Sequence, residues 1–123
     1  MKTLAITLGA MLSATALLPV SASSAAPLPD CVTLSPTHQG TRAADNAQLL
    51  LKDGDAHYRV DFKRSCDAIG RNSKITLETN GQANLLCPQG TTVRAANTSC
   101  GARSVELIEA DVYERRARMN RRR

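Results

Sequence analysis

His57-Tyr58-Arg59-Val60-Asp61-Phe62-Lys63 alternates apolar and polar residues. Successive side chains of an extended chain point to opposite faces, so this period of two predicts a half-buried β-strand. Tyr58, Val60 and Phe62 share one face; His57, Arg59, Asp61 and Lys63 share the other. Just upstream, Asp53-Gly54 is a turn dipeptide, because glycine adopts positive φ at little cost. Leu49-Leu50-Leu51 before it is a short apolar run. The two runs are expected to pair as a hairpin.

Working outward, Cys31-Val32-Thr33-Leu34 reads as a short strand, and Ser35 to Gly40 as a loop. Arg42 to Gln48 reads as an irregular link or a helical turn. Ile75 to Thr79 alternates again, with Ile75 and Leu77 inward, and Asn80-Gly81 is a strong hairpin signal. Ala83 to Cys87 is expected to return from that turn. Pro88-Gln89-Gly90 makes another turn, Thr91 to Ala95 another strand, and Asn97 to Gly101 a loop holding Cys100. Arg103 to Glu109 completes the series, with Val105 and Leu107 on one face. Five to six short strands separated by turn residues predict an all-β fold, a small antiparallel barrel or sandwich. Closing a barrel hides strand edges that would otherwise invite aggregation. The alternative is an α+β fold, in which a short helix from residues 41–48 or from the C-terminus crosses an open sheet.

The N-terminal residues follow a secretory pattern. Met1-Lys2 is a short positive start, Leu4 to Val20 is apolar and uncharged, and small residues fill Ser21 to Ala26. Residues 1–25 therefore read as a signal peptide, cut after Ala22 or, as second choice, after Ala25. An uncleaved membrane anchor fits less well, because a span needs about 20 apolar residues. A lipoprotein signal fits no better, because Leu28-Pro29-Asp30 precedes Cys31 where small neutral residues belong. Residues 21–29 are expected to be an unstructured Ser/Ala/Pro-rich stretch. Residues 26–113 form the expected β domain, and residues 114–123 an arginine-rich tail. No second apolar segment follows, so no transmembrane segment is expected after cleavage.

The mature chain has room for one domain. It has two tyrosines, one phenylalanine and no tryptophan. A small domain buries a modest share of its surface, so covalent support is expected. Cys31, Cys66, Cys87 and Cys100 all fall in the mature chain, and an even count in an exported protein reads as two disulfides. Spacing alone leaves three pairings open. Cys31–Cys66 with Cys87–Cys100 is favoured, the second bond closing a loop of about 14 residues that contributes about 3 kcal/mol in the chain-entropy model. Cys66–Cys87 with Cys31–Cys100 is the runner-up. The cysteines form no CxxC pair, which argues against a thioredoxin-like centre. His38 and His57 do not stand at zinc-ligand spacings, so no metal is expected.

From Cys31 to Ile108 the chain resembles DUF6491, a family of small exported proteobacterial proteins. The resemblance rests on Cys31, Arg42 and Asp45, Leu49 to Leu51, Tyr58 to Phe62 leading to Cys66, Leu86-Cys87, Gly90 and Cys100. The order of the four cysteines and the Leu-Cys step carry it. The chain departs at Gln89-Gly90-Thr91, where the family has Gly-Asp, and in its arginine-rich end. The resemblance implies an exported disulfide domain and no catalytic activity.

Charge is concentrated at the C-terminus. Arg115, Arg116, Arg118, Arg121, Arg122 and Arg123 follow Glu114, whereas acidic and basic residues nearly balance over 26–113. Guanidinium forks suit phosphate and carboxylate, so the tail is a candidate site for anionic lipid headgroups or lipopolysaccharide phosphates. The competing reading is a solvated, partly helical tail that aids solubility. Nucleic acid is not expected as a partner, since aromatic residues for base stacking are nearly absent. His57 is expected to be an exposed strand histidine and His38 a loop residue. Asp53, Asp55 and Asp61 are expected at turns and on the outward strand face, and they do not space like a calcium loop. Arg42 and Asp45 are expected to make an ion pair or a turn hydrogen bond. Asn97-Thr98-Ser99 matches a glycosylation pattern but reads as a polar loop. No nucleophile motif and no cofactor signature occurs. These features predict a periplasmic or secreted envelope protein, non-catalytic, acting as a binding or structural module. The alternative is an anionic-surface binder acting through its tail.

Overall fold

The structure, a computed structural model, describes residues 25–72 and 74–121. The expected signal peptide, apart from Ala25, and its first-choice cut after Ala22 lie outside the described residues, as do Arg122 and Arg123. The elements run in chain order as β1 (Ala26–Pro27), β2 (Val32–Thr33), β3 (Gln39–Ala43), β4 (Gln48–Asp53) and β5 (Ala56–Phe62). Then come α1 (Asp67–Arg71), β6 (Ile75–Thr79), β7 (Gln82–Ala83), β8 (Leu85–Leu86), β9 (Thr91–Ala95), β10 (Thr98–Ile108) and α2 (Ala110–Arg121). Six strands have five residues or more, matching the expected number; the remaining four are two-residue bridges.

The strands form an antiparallel, curled half-barrel sheet in the order β3-β4-β5-β10-β9-β6-β7. β10 is its spine. Its first half pairs with β9 and its second half with β5, and the register slips between Ala102 and Ser104. Such a bulge increases local twist, which lets one strand serve both halves of a curved sheet. Asn97 to Gly101, expected as a loop, is therefore mostly strand; the reversal is confined to Ala96 and Asn97, with Ala96 left-handed at φ 54°.

The β4–β5 hairpin forms as the alternation predicts, with Leu51 opposite Tyr58 and Leu49 opposite Val60. Leu49, Leu51, Tyr58, Val60 and Phe62 enter the main core with Leu77, Leu86, Val93 and Val105. Removing these apolar side chains from water contributes about 1.5–3 kcal/mol for each fully buried one.

Several expectations are corrected. Gln39–Ala43 is a strand joined to β4 by a tight corner, rather than loop and irregular link. Ala44, Asp45 and Asn46 are all left-handed, at φ 51°, 53° and 67°. The corner is held from outside: the Cys66 amide donates to the Asn46 carbonyl at 2.8 Å and the Ser65 hydroxyl to the Asp45 carbonyl at 2.9 Å. The expected return strand Ala83 to Cys87 is split. Asn84 is left-handed at φ 62°, so β7 ends there and β8 turns away to pair with β2. The stretch at residues 21–29 is ordered in its described part. β1 pairs with β10, the Leu28 amide donates to the Val105 carbonyl at 3.0 Å, and Leu28 is buried.

The disulfides join Cys31 to Cys87 and Cys66 to Cys100. This is the third pairing, neither the favoured one nor the runner-up. The sheet order gives the reason. Cys66 follows the end of β5 and Cys100 lies on β10, its sheet neighbour. Cys31 precedes β2 and Cys87 follows β8, and those two strands pair. Proximity across the ladder overrode proximity along the chain.

Residues 114–121 are not a separate tail. α2 starts at Ala110, crosses the expected 113/114 boundary and packs on the outer face of the sheet. The alternative architecture thus contributed its C-terminal helix to the half-barrel.

Candidate functional site

α2 forms where its sequence favours a helix. Ala, Glu, Arg and Met are strong helix formers, Asp111 stands in the positive first turn, and arginines gather toward the negative C-terminal end. The Tyr113 amide donates to the Glu109 carbonyl at 3.1 Å, closing the first turn. Tyr113 and Ala117, one turn apart, point inward and are buried with Ala43, Leu50 and Ile108. This second, outer core explains the three consecutive leucines of β4. Leu49 and Leu51 face the half-barrel interior, and Leu50 faces α2.

Docking of α2 overturns the expectation for the outward strand face. His57 is buried, its imidazole 5.1 Å from the Tyr113 ring, rather than exposed. Asp61 is also buried and accepts three hydrogen bonds. Gln48 Nε2 donates to Oδ1 at 2.7 Å; Arg59 Nε and the Ser104 hydroxyl donate to Oδ2 at 3.2 and 3.3 Å. Arg59 pairs as well with Glu106. Arg116 Nη1 donates to Gln48 Oε1 at 3.0 Å, which links the helix to this polar network.

The described arginines of the C-terminus separate by role. Arg116 is turned toward the sheet. Arg115 and Arg118 are exposed on the opposite side of the helix, beside Met119, the exposed large hydrophobic residue of the described chain. Arg115 pairs with Asp111 at 3.5 Å, but both side chains are about two-thirds exposed. A surface pair of that kind contributes roughly 0.3–0.5 kcal/mol, so an incoming anion can displace it. Arg121 ends the helix.

Beneath the helix edge lies a shallow depression of about 220 Å³, lined by Gln39, Thr41, Lys52, Tyr113, Glu114 and Ala117. It falls below the roughly 300–1,000 Å³ of small-molecule pockets. The hydroxyls of Tyr113 and Thr41 are 3.3 Å apart, and Lys52 stands 4.0 Å from Glu114, so its polar groups satisfy one another.

The remaining sequence candidates are accounted for locally. His38 donates from Nδ1 to the Ser35 carbonyl at 2.8 Å within its loop. Asp53 accepts from the Ser35 amide at 2.9 Å, tying that loop to the β4–β5 turn. Arg42 donates to the Gly70 carbonyl of α1 at 3.2 Å, a long-range structural contact rather than the ion pair or turn hydrogen bond expected. Among the described residues no three His, Cys, Asp or Glu side chains gather to hold a metal ion, and no helix is long and apolar enough to cross a membrane.

No family model matches the chain, and no curated protein or solved structure matches it.

Proposed function

We propose that this chain is an exported, disulfide-stapled envelope module that binds anionic surfaces through the outer face of α2. One observation carries the reading: Arg115 and Arg118 stand exposed on a helix whose opposite face is anchored by Tyr113 and Ala117. Side chains on a docked helix are presented with less backbone freedom than on a flexible tail, so less entropy is lost on binding. Acidic side chains stay in the first turns and arginines follow to Arg121, so positive charge grows along the helix. Phosphate-bearing headgroups, of lipid or of lipopolysaccharide, are the ligands such a surface suits.

Two features support the compartment. Residues 1–25 have the pattern of an export signal, and both disulfides suit an oxidising space such as the periplasm or the exterior. The resemblance to DUF6491 fits the same assignment. The broader reading is a non-catalytic binding or structural module whose arginines serve only solubility and helix stability.

Binding of the mature protein to anionic and to zwitterionic vesicles separates these readings. Deleting residues 114–123 is unsuitable, because it also removes Ala117 and Arg116 from the fold. R115E/R118E is the better variant. Salt-sensitive binding to anionic vesicles, weakened at least tenfold in R115E/R118E, supports the reading. Binding unchanged by the double substitution, or equal on zwitterionic vesicles, rejects it.

A further inference from the structure

The two disulfides interleave along the chain. Cys31–Cys87 encloses Cys66, and Cys66–Cys100 encloses Cys87. With four cysteines and two native bonds, any non-native bond takes one cysteine from each native pair. A single wrong bond therefore blocks both right ones.

The unfolded chain favours wrong bonds. The probability of closing a loop falls roughly as the three-halves power of its length. The native bonds span 56 and 34 positions. Cys87 and Cys100 are only about thirteen apart. On that scaling Cys87–Cys100 closes roughly ninefold more readily than Cys31–Cys87. Once it has formed, Cys31 and Cys66 are left to each other. The result is a fully oxidised chain, Cys31–Cys66 with Cys87–Cys100, that holds no free thiol with which to correct itself.

We infer that maturation of this protein requires an external thiol, and that its folding partner is a thiol–disulfide isomerase. The chemistry balances. A partner thiolate attacks one sulfur of Cys87–Cys100, forming a mixed disulfide with Cys100 and releasing Cys87 as thiolate. The Cys87 thiolate attacks Cys31 of Cys31–Cys66, forming Cys31–Cys87 and releasing Cys66 as thiolate. Cys66 then attacks Cys100 of the mixed disulfide, forming Cys66–Cys100 and releasing the partner thiolate. Reshuffling conserves the number of disulfides, so no net oxidant is consumed once two bonds exist. The native bonds are retained because the fold brings their cysteines together, and Cys66 and Cys87 are then buried. Cys31 stays on the surface and Cys100 is half-buried, so the Cys31–Cys87 bond is the more accessible to a partner in the folded protein.

The test is oxidative refolding of the reduced, denatured mature protein, with alkylation quenches and non-reducing tryptic maps. Arg94 separates Cys87 from Cys100, and Arg71 and Lys74 separate Cys66 from Cys87, so every pairing gives distinct linked peptides. With a thiol-free oxidant such as diamide alone, Cys31–Cys66 with Cys87–Cys100 is expected to exceed the native form several-fold. Adding reduced glutathione or a purified dithiol isomerase is expected to convert it to Cys31–Cys87 with Cys66–Cys100. Full native pairing at the same rate without any free thiol would overturn the inference. In C31S/C87S only Cys66–Cys100 can form, so no scrambling is possible. Its oxidation is expected to be indifferent to the isomerase, and a dependence persisting there would also overturn the inference.

Discussion

The Tyr113 ring on α2 lies against the imidazole of His57 on β5, their centroids 5.1 Å apart. The contact joins the last element of the chain to the central hairpin and closes the outer face of the sheet. It also places the Tyr113 hydroxyl 3.3 Å from that of Thr41 on the edge strand. One aromatic residue therefore ties α2 to both β3 and β5.

Tyr113→Ala is expected to undock the helix. Truncating a buried aromatic side chain costs about 3–5 kcal/mol, and the loss of α2 packing adds exposure of Leu50. Denaturant unfolding should show the destabilisation, and far-ultraviolet circular dichroism a loss of helix. Tyr113→Phe keeps the ring and gives up only the hydroxyl contact, so its cost should stay near about 1 kcal/mol.

Arg116 and its neighbours should behave oppositely. Arg116→Ala removes the donor to Gln48 Oε1 and is expected to lower stability by about 1 kcal/mol. R115E/R118E should change stability by no more than about 0.5 kcal/mol, as exposed substitutions do, while weakening anionic-vesicle binding. Thermal melts alongside vesicle sedimentation distinguish the two effects.

Asp61 holds Arg59, Gln48 and Ser104 at once. Asp61→Ala leaves three donors without their acceptor in a nearly closed site. The expected cost is about 2–4 kcal/mol, because the loss of a charged, hydrogen-bonded partner strands the others. Chemical denaturation measures it; a loss under about 1 kcal/mol would show that water replaces the carboxylate.

Burial, aided by the Asp53 charge, raises the pKa of the Tyr58 phenol above its usual 10.0. The unfolded chain therefore loses this proton at lower pH than the folded one. The resulting stability is fully present below pH 10 and is lost as pH rises through the folded-state value. Wild type should lose stability above pH 10 more steeply than Tyr58→Phe, as read from urea midpoints between pH 8 and 11. Parallel profiles would show that Tyr58 does not govern the alkaline limb.

Each disulfide should be individually necessary for high stability. On the chain-entropy model the Cys66–Cys100 and Cys31–Cys87 loops contribute about 4 kcal/mol apiece. C66A/C100A should fall further than this figure, because Cys66 belongs to the main core, whereas Cys31 is exposed. Comparison of the two double variants by urea unfolding checks the order.

Some of this was legible in the chain itself. Alternation over His57 to Lys63 and Ile75 to Thr79 identified strands and their inward residues, because a period of two depends only on local geometry. Asp53-Gly54 and Asn80-Gly81 marked reversals for a similarly local reason: Gly54, Asn80 and Gly81 adopt positive φ. The cysteine count pointed to two bonds. Other features had no local signature. Asn84 breaks a strand because β2 is available to receive β8, and the left-handed corner at Ala44 to Asn46 is held by residues twenty positions away. At the candidate site, the arginine cluster was visible, yet nothing in its spacing divided Arg116 from Arg115 and Arg118. The signal that could have found the docked helix was Leu49-Leu50-Leu51, since an uninterrupted apolar run suits a strand covered on both faces.

The sequence by itself determined the strand-rich character, the apolar inner face and the basic C-terminus, all properties of residues close together in the chain. Only the tertiary structure decided which cysteines join, that His57 and Asp61 are buried, and which arginines face outward. Those outcomes depend on which distant segments meet, and that is set by the sheet order and by α2 folding back over β4 and β5.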